Sequence, residues 1–114
     1  MPVTIAREAL KARMEAGDGF VLVDVLSAES YRREHLPGAI NLPLFEINEA
    51  SVADLPRDKD VIVYCASFAC QASPMAARKL EELGFTRVTD FEGGLADWKE
   101  TGYPLESNEF RPQK

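Results

Sequence analysis

Cysteine, histidine and tryptophan are scarce in this chain of 114 residues, which has two cysteines, one histidine and one tryptophan. Two cysteines are too few for a disulfide scaffold. With a single histidine and no Cys-x-x-Cys pair, they cannot assemble a four-ligand zinc site either. Basic charge is also in deficit: 13 lysines and arginines against 19 acidic residues leave a net charge of −6. A phosphate backbone or an anionic membrane surface is repelled overall by such a chain, so neither nucleic acid nor membrane is an expected partner. Long apolar runs are missing, and none approaches the roughly 20 residues that span a bilayer. Residues 1–13 lack the apolar block of a signal peptide. The expected location is the cytoplasm.

What remains is ordinary globular material, 46% hydrophobic and 28% charged, in a length that holds one core. A single domain is expected over residues 1–114, with its core at about 3–105 and a polar, loose tail at 106–114. The hydrophobic period changes several times along the chain. Residues 5–14 carry a helical stripe that Thr4 is placed to cap and Gly17 to end. Residues 20–25 and 61–64 are short, nearly continuous β-branched runs, the mark of strands buried on both faces. Between them, Ser27 reads as the N-cap of a helix to Glu34, a Pro-Gly turn precedes a brief strand near Ile40, and residues 45–55 read as a short helix or two helical turns. Ser73-Pro74 reads as an N-cap followed by proline at the first position of a helix that runs from Pro74 to about Leu83. A strand at 87–91, a Gly93-Gly94 turn and a helix at 95–101 complete the pattern. Strands alternating with helices predict an α/β fold, a central parallel sheet with helices on both faces.

Ligands of such sheets bind beyond the carboxyl ends of the strands, and Cys65 stands there, immediately after residues 61–64. The segment Cys65-Ala66-Ser67-Phe68-Ala69-Cys70-Gln71 then runs into a helix N-terminus. A loop with inward N–H groups, backed by the positive end of a helix, is a cradle for negative charge. In it a cysteine is expected to have a lowered pKa and to act as a nucleophile. The competing reading is a small core residue at the end of a strand. His35 reads as a hydrogen-bonding framework residue or a base, Asp24 as a loop anchor or an acid, and Trp98 and Phe91 as core or pocket wall. Phe68 either packs under the loop or stands at its mouth, where it favours a thiol-bearing organic or protein substrate. Cys70 is either packing or a second, resolving thiol.

The sequence contains Val23-Asp24-Val25, Glu29-Ser30-Tyr31, His35-Leu36-Pro37-Gly38-Ala39-Ile40-Asn41-Leu42-Pro43, Tyr64-Cys65, Leu83-Gly84-Phe85, Glu92-Gly93-Gly94, Trp98 and Gly102-Tyr103-Pro104, in that order. Together these stretches, covering residues 3–105, resemble the rhodanese family of sulfurtransferase domains. The resemblance implies a rhodanese-like fold and a ping-pong enzyme without cofactor or metal. Cys65 takes a sulfane sulfur from a thiosulfate- or persulfide-type donor as a persulfide. The amides of Ala66, Ser67, Phe68, Ala69, Cys70 and Gln71 hold it, and cyanide, a small thiol or a protein cysteine removes it. Two departures stand out. The loop carries no arginine or lysine, and Leu26 replaces the family's arginine, so dianionic thiosulfate meets only amide dipoles. The loop is also two residues longer than in common single-domain members. Phosphatase relatives with enlarged loops need an arginine where this chain has Gln71. A thiol redox enzyme using Cys65 and Cys70, and a regulatory module without turnover, stand beside sulfur transfer as alternatives.

Overall fold

The two β-branched runs become neighbouring strands at the centre of a five-stranded sheet. The computed structural model describes residues 3–108. Strands β1 (Val3–Thr4), β2 (Val21–Asp24), β3 (Ile40–Asn41), β4 (Val61–Tyr64) and β5 (Val88–Phe91) lie in the order β1-β5-β4-β2-β3. Every adjacent pair is parallel. β4 is buried at all four positions between β2 and β5, which is why its sequence is apolar without alternation. The helices are α1 (Arg7–Ala16), α2 (Ala28–Arg33), α3 (Ala72–Glu82) and α4 (Gly94–Glu100).

Side chains alternate across a strand, so Val61, Val63 and Cys65 point to one face of the sheet and Ile62 and Tyr64 to the other. The first face meets Ala76, Ala77 and Leu80 of α3 together with Val23 and Val88. The second meets Leu10 of α1 and Trp98 of α4 together with Leu22 and Phe91. Helices therefore cover both faces, as the alternating pattern predicts. Trp98 donates from Nε1 to the Pro104 carbonyl at 2.8 Å and stands edge-on to Phe91 and Tyr103. It is core, and so is Phe91.

The local expectations hold unevenly. Ser27 caps α2, its side chain accepting from Ser30 N–H at 3.2 Å, and Gly17 ends α1 in the left-handed conformation at φ 71°. Thr4 does not cap α1. It belongs to β1, paired with β5, and Ala6 occupies the cap without a side-chain bond. Residues 45–55 form no regular helix; a 3₁₀ turn at Leu44–Glu46 is followed by turns. Asn48 and Ser51 bond to each other through side chain and backbone, a local alternative to helical bonding, while Ile47 and Val52 still reach the core. Ser73 is not the cap of α3, which starts at Ala72, two residues before the expected start, with Gln71 at the cap position. Pro74 is therefore its third residue, still within the first turn, where its missing N–H leaves nothing unpaired. The tail is not loose from residue 106: Glu106 pairs with His35 through two backbone bonds of 2.9 Å, and Asn108 N–H donates to Arg32 O. Residues 109–114 lie outside the described residues. No helix among the described residues is long and apolar enough to cross a membrane.

Candidate active site

The loop between β4 and α3 is held from below by α4. The Leu95 and Ala96 amides, at the start of that helix, donate to the carbonyls of Cys65 and Ala66 at 2.9 and 2.8 Å. Helix N-terminal amides thus find acceptors, and both loop carbonyls are drawn toward α4. The approach is close because residue 94 is glycine: it sits at φ +62°, and a Cβ there would lie 2.3 Å from the Cys65 carbonyl oxygen.

Cys65 is fully buried, and its Sγ accepts from the Ser73 N–H at 3.3 Å. Cys70 is half-buried and packs against the same layer. Its amide closes a turn onto Ser67 O at 3.0 Å, which folds the loop back and brings the two thiols near enough to perturb each other. The Ala66 and Ala72 amides lie near enough to the Cys70 sulfur to favour its charged form. Among the described residues, the N–H groups of Ser67, Phe68, Ala69 and Gln71 have no protein acceptor. No lysine or arginine occurs from Ala66 to Ser73.

This arrangement corrects the expected pKa of Cys65. Burial pushes the Cys65 thiol up, and its hydrogen bond to Cys70 adds to that; the Ser73 hydroxyl and amide pull the other way without prevailing. For Cys70, burial alone would raise the value. The bond from Cys65 and the amides of Ala66 and Ala72 outweigh it, and Cys70 lies below the ordinary thiol range. The two titrate as a pair, and the first negative charge is best held on Cys70.

Beneath the loop, the sequence pattern missed Asp90. It lies on β5 opposite Val63 and is buried to 1% exposure, with Oδ1 unpaired. The Ser73 hydroxyl is also buried without a well-formed bond, yet it lies close enough to influence both Asp90 and Cys65. The available signal was an acid between Thr89 and Phe91 in a four-residue strand. Burial raises the Asp90 pKa, with Ser73 opposing and Glu92 reinforcing. The folded state therefore retains a proton that the unfolded chain loses near the ordinary carboxylate value of about 3.9. Stability from this group is fully present below that pH and is lost as pH rises through the raised value. Asp90→Asn should melt a few degrees above wild type at about pH 7, and the gain should vanish at about pH 4. A melting difference independent of pH between those limits would show that Asp90 carries no such shift.

Phe68 stands at the mouth of the loop, 70% exposed, beside a cleft of about 310 Å³ formed with Arg7, Glu92 and Gly93 among others. Asp24 and His35 are not brought to Cys65. The Asp24 carboxylate accepts from Leu26 N–H at 2.9 Å and Tyr64 OH at 2.8 Å, on the face opposite Cys65. It is a loop anchor, although burial raises its pKa. His35 Nδ1 meets Tyr31 O at 2.7 Å, and the two rings stack. It is framework.

A buried strand-end cysteine inside a loop of open amides, on a parallel sheet, defines a cysteine-centred α/β domain. Residues 6–101 match the model of the rhodanese-like domain, and the chain belongs to that family. It is 31% identical over 101 residues to a sulfurtransferase of Allochromatium vinosum, covering 89% of this chain and 92% of that one. It is 36% identical over 102 residues to the HTH-type transcriptional regulator Rv0324 of Mycobacterium tuberculosis, covering 90% of this chain but 44% of the relative. The chain thus spans less than half the length of that relative. The BH2092 protein from Bacillus halodurans superposes with a TM-score of 0.88 at 34% identity, covering 93% of this chain and 77% of that one. Relatives named as sulfurtransferases support sulfur transfer at the level of the family.

Proposed function

We propose that the protein is a sulfurtransferase that carries a sulfane sulfur on Cys65, moving it from a persulfide-type donor to a thiol or cyanide acceptor. The observation that carries this reading is the uncharged cradle around Cys65, with the Ser73 amide on its sulfur and four neighbouring amides without protein acceptors. Attack by the cysteine sulfur on the donor's outer sulfur forms the persulfide and expels a sulfur leaving group that departs readily as an anion. The amides of Ser67, Phe68, Ala69 and Gln71 offer the persulfide anion the hydrogen bonds that no cation supplies. Exposed Phe68 favours an organic or protein thiol at the mouth.

Mass measurement of the intact protein tests this. After incubation with a donor, one sulfur, about 32 Da, should be added and then be removed by cyanide. An organic persulfide should load faster than thiosulfate. Gln71→Arg should lower the KM for thiosulfate, because a guanidinium at the exposed end of the loop meets its oxygens. No adduct with either donor would refute the proposal, and a wild type that strongly prefers thiosulfate would refute its donor preference.

A further inference from the structure

We infer that Cys70 resolves the Cys65 persulfide, so that the protein reduces sulfane sulfur to hydrosulfide through a Cys65–Cys70 disulfide. This inference rests on the sulfur-transfer reading and adds a second fate for the same intermediate.

The geometry carries it in three ways. The thiols lie in one packed layer, close enough for each to shift the other's titration, because the Ser67–Cys70 turn folds the loop onto itself. Each sulfur also has amides beside it, Ser73 bonded to Cys65 and those of Ala66 and Ala72 near enough to Cys70 to favour its charged form, so the loop has two places to hold an anionic sulfur. Finally, the loop itself carries no lysine or arginine. A persulfide anion on Cys65 beside a thiolate on Cys70 places two negative charges in a loop without a cation of its own, and like charges at that range disfavour each other. Forming the disulfide and expelling a small anion relieves the repulsion.

The Cys70 thiolate attacks the Cys65 Sγ, a bond forms between the two cysteine sulfurs, and the bond from Cys65 Sγ to the outer sulfur breaks. The outer sulfur leaves with the bonding electron pair, takes a proton from solvent and departs as hydrosulfide. The sulfane sulfur is reduced and the two cysteines are oxidised. A dithiol, or two equivalents of a small thiol, then regenerates the pair. Its point of attack is Cys70, the half-exposed sulfur, because Cys65 is fully buried. The leaving group is then the Cys65 thiolate.

The test loads reduced wild type, Cys70→Ser and Cys70→Ala with an organic persulfide, removes all small molecules by rapid desalting, and follows released sulfide and intact mass without added thiol. Wild type should release close to one equivalent of sulfide and end about 2 Da below its reduced mass, as a disulfide that peptide mapping places at Cys65–Cys70. Both variants should keep the added sulfur and release sulfide at least about ten-fold more slowly. Circular dichroism and melting of each variant establish that it is folded. Should wild type load sulfur but release it no faster than the folded variants, or should the sulfur move intact to Cys70, the inference falls while the sulfur-transfer reading stands. A wild type that takes up no sulfur overturns both.

Discussion

Cys65→Ser should abolish sulfur loading and lower the transfer rate by about three orders of magnitude or more, the scale on which removing a covalent nucleophile acts. Serine is nearly isosteric, and its hydroxyl can still accept the Ser73 N–H that now reaches Cys65 Sγ at 3.3 Å. Burial and the loop conformation are therefore retained, and melting should change little. What is lost is the soft, ionisable sulfur that attacks a sulfane sulfur and holds it as a persulfide. Steady-state assays with cyanide as acceptor, together with intact mass after donor treatment, decide the matter. An adduct of undiminished yield on Cys65→Ser would place the carrier elsewhere. The wild-type rate should also climb with pH as the Cys65–Cys70 pair loses its second proton, because burial, reinforced by the adjacent Cys70, holds the Cys65 thiol above its ordinary value.

Gly94→Ala should be the most destabilising single-methyl substitution at a glycine of this fold. The residue sits at φ +62°, and its new Cβ would meet the Cys65 carbonyl oxygen at 2.3 Å and the Ala66 carbonyl carbon at 3.0 Å. Both are backbone atoms, held there by the Leu95 and Ala96 amides, so neither can swing away as a side chain would. A cost of about 3 kcal/mol or more is expected from strain plus the displaced loop, lowering Tm by about 10 °C or more. Gly17→Ala is the control, with φ +71° and nothing within 4 Å of the added carbon. It bears only the conformational cost, about 1–2 kcal/mol. Thermal melts of both variants, with loading assays on Gly94→Ala, would separate the contributions. Equal melting temperatures would mean that the contact with the Cys65 carbonyl does not constrain the site.

The parallel sheet was readable because its signals are local and repeated. The runs at 20–25 and 61–64 cannot expose either face to water, so they predict central strands directly, and Cys65 at the end of the second is placed by counting. Ser27 and Gly17 were equally readable, since a cap and a left-handed stop act within one turn. Two of the errors fell where partners are distant in sequence. Thr4 is a strand residue because β5, more than eighty residues away, pairs with it. Residues 106–108 are ordered by α2 and His35, not by anything in their own composition.

By itself, the sequence determined the fold class, the strand-end position of Cys65 and the uncharged loop beside it, because these depend on hydrophobic period, chain order and residue type alone. Only the tertiary structure decided which sulfur holds the first negative charge, which carbonyls Gly94 admits and which buried acid lies beneath the loop. A pKa reflects the whole surroundings of an atom. Cys65 is enclosed by β4, α3 and its own loop, while Cys70 receives two amides from residues on either side of it. Desolvation and close approach arise when separate elements pack together, and no spacing along the chain encodes them.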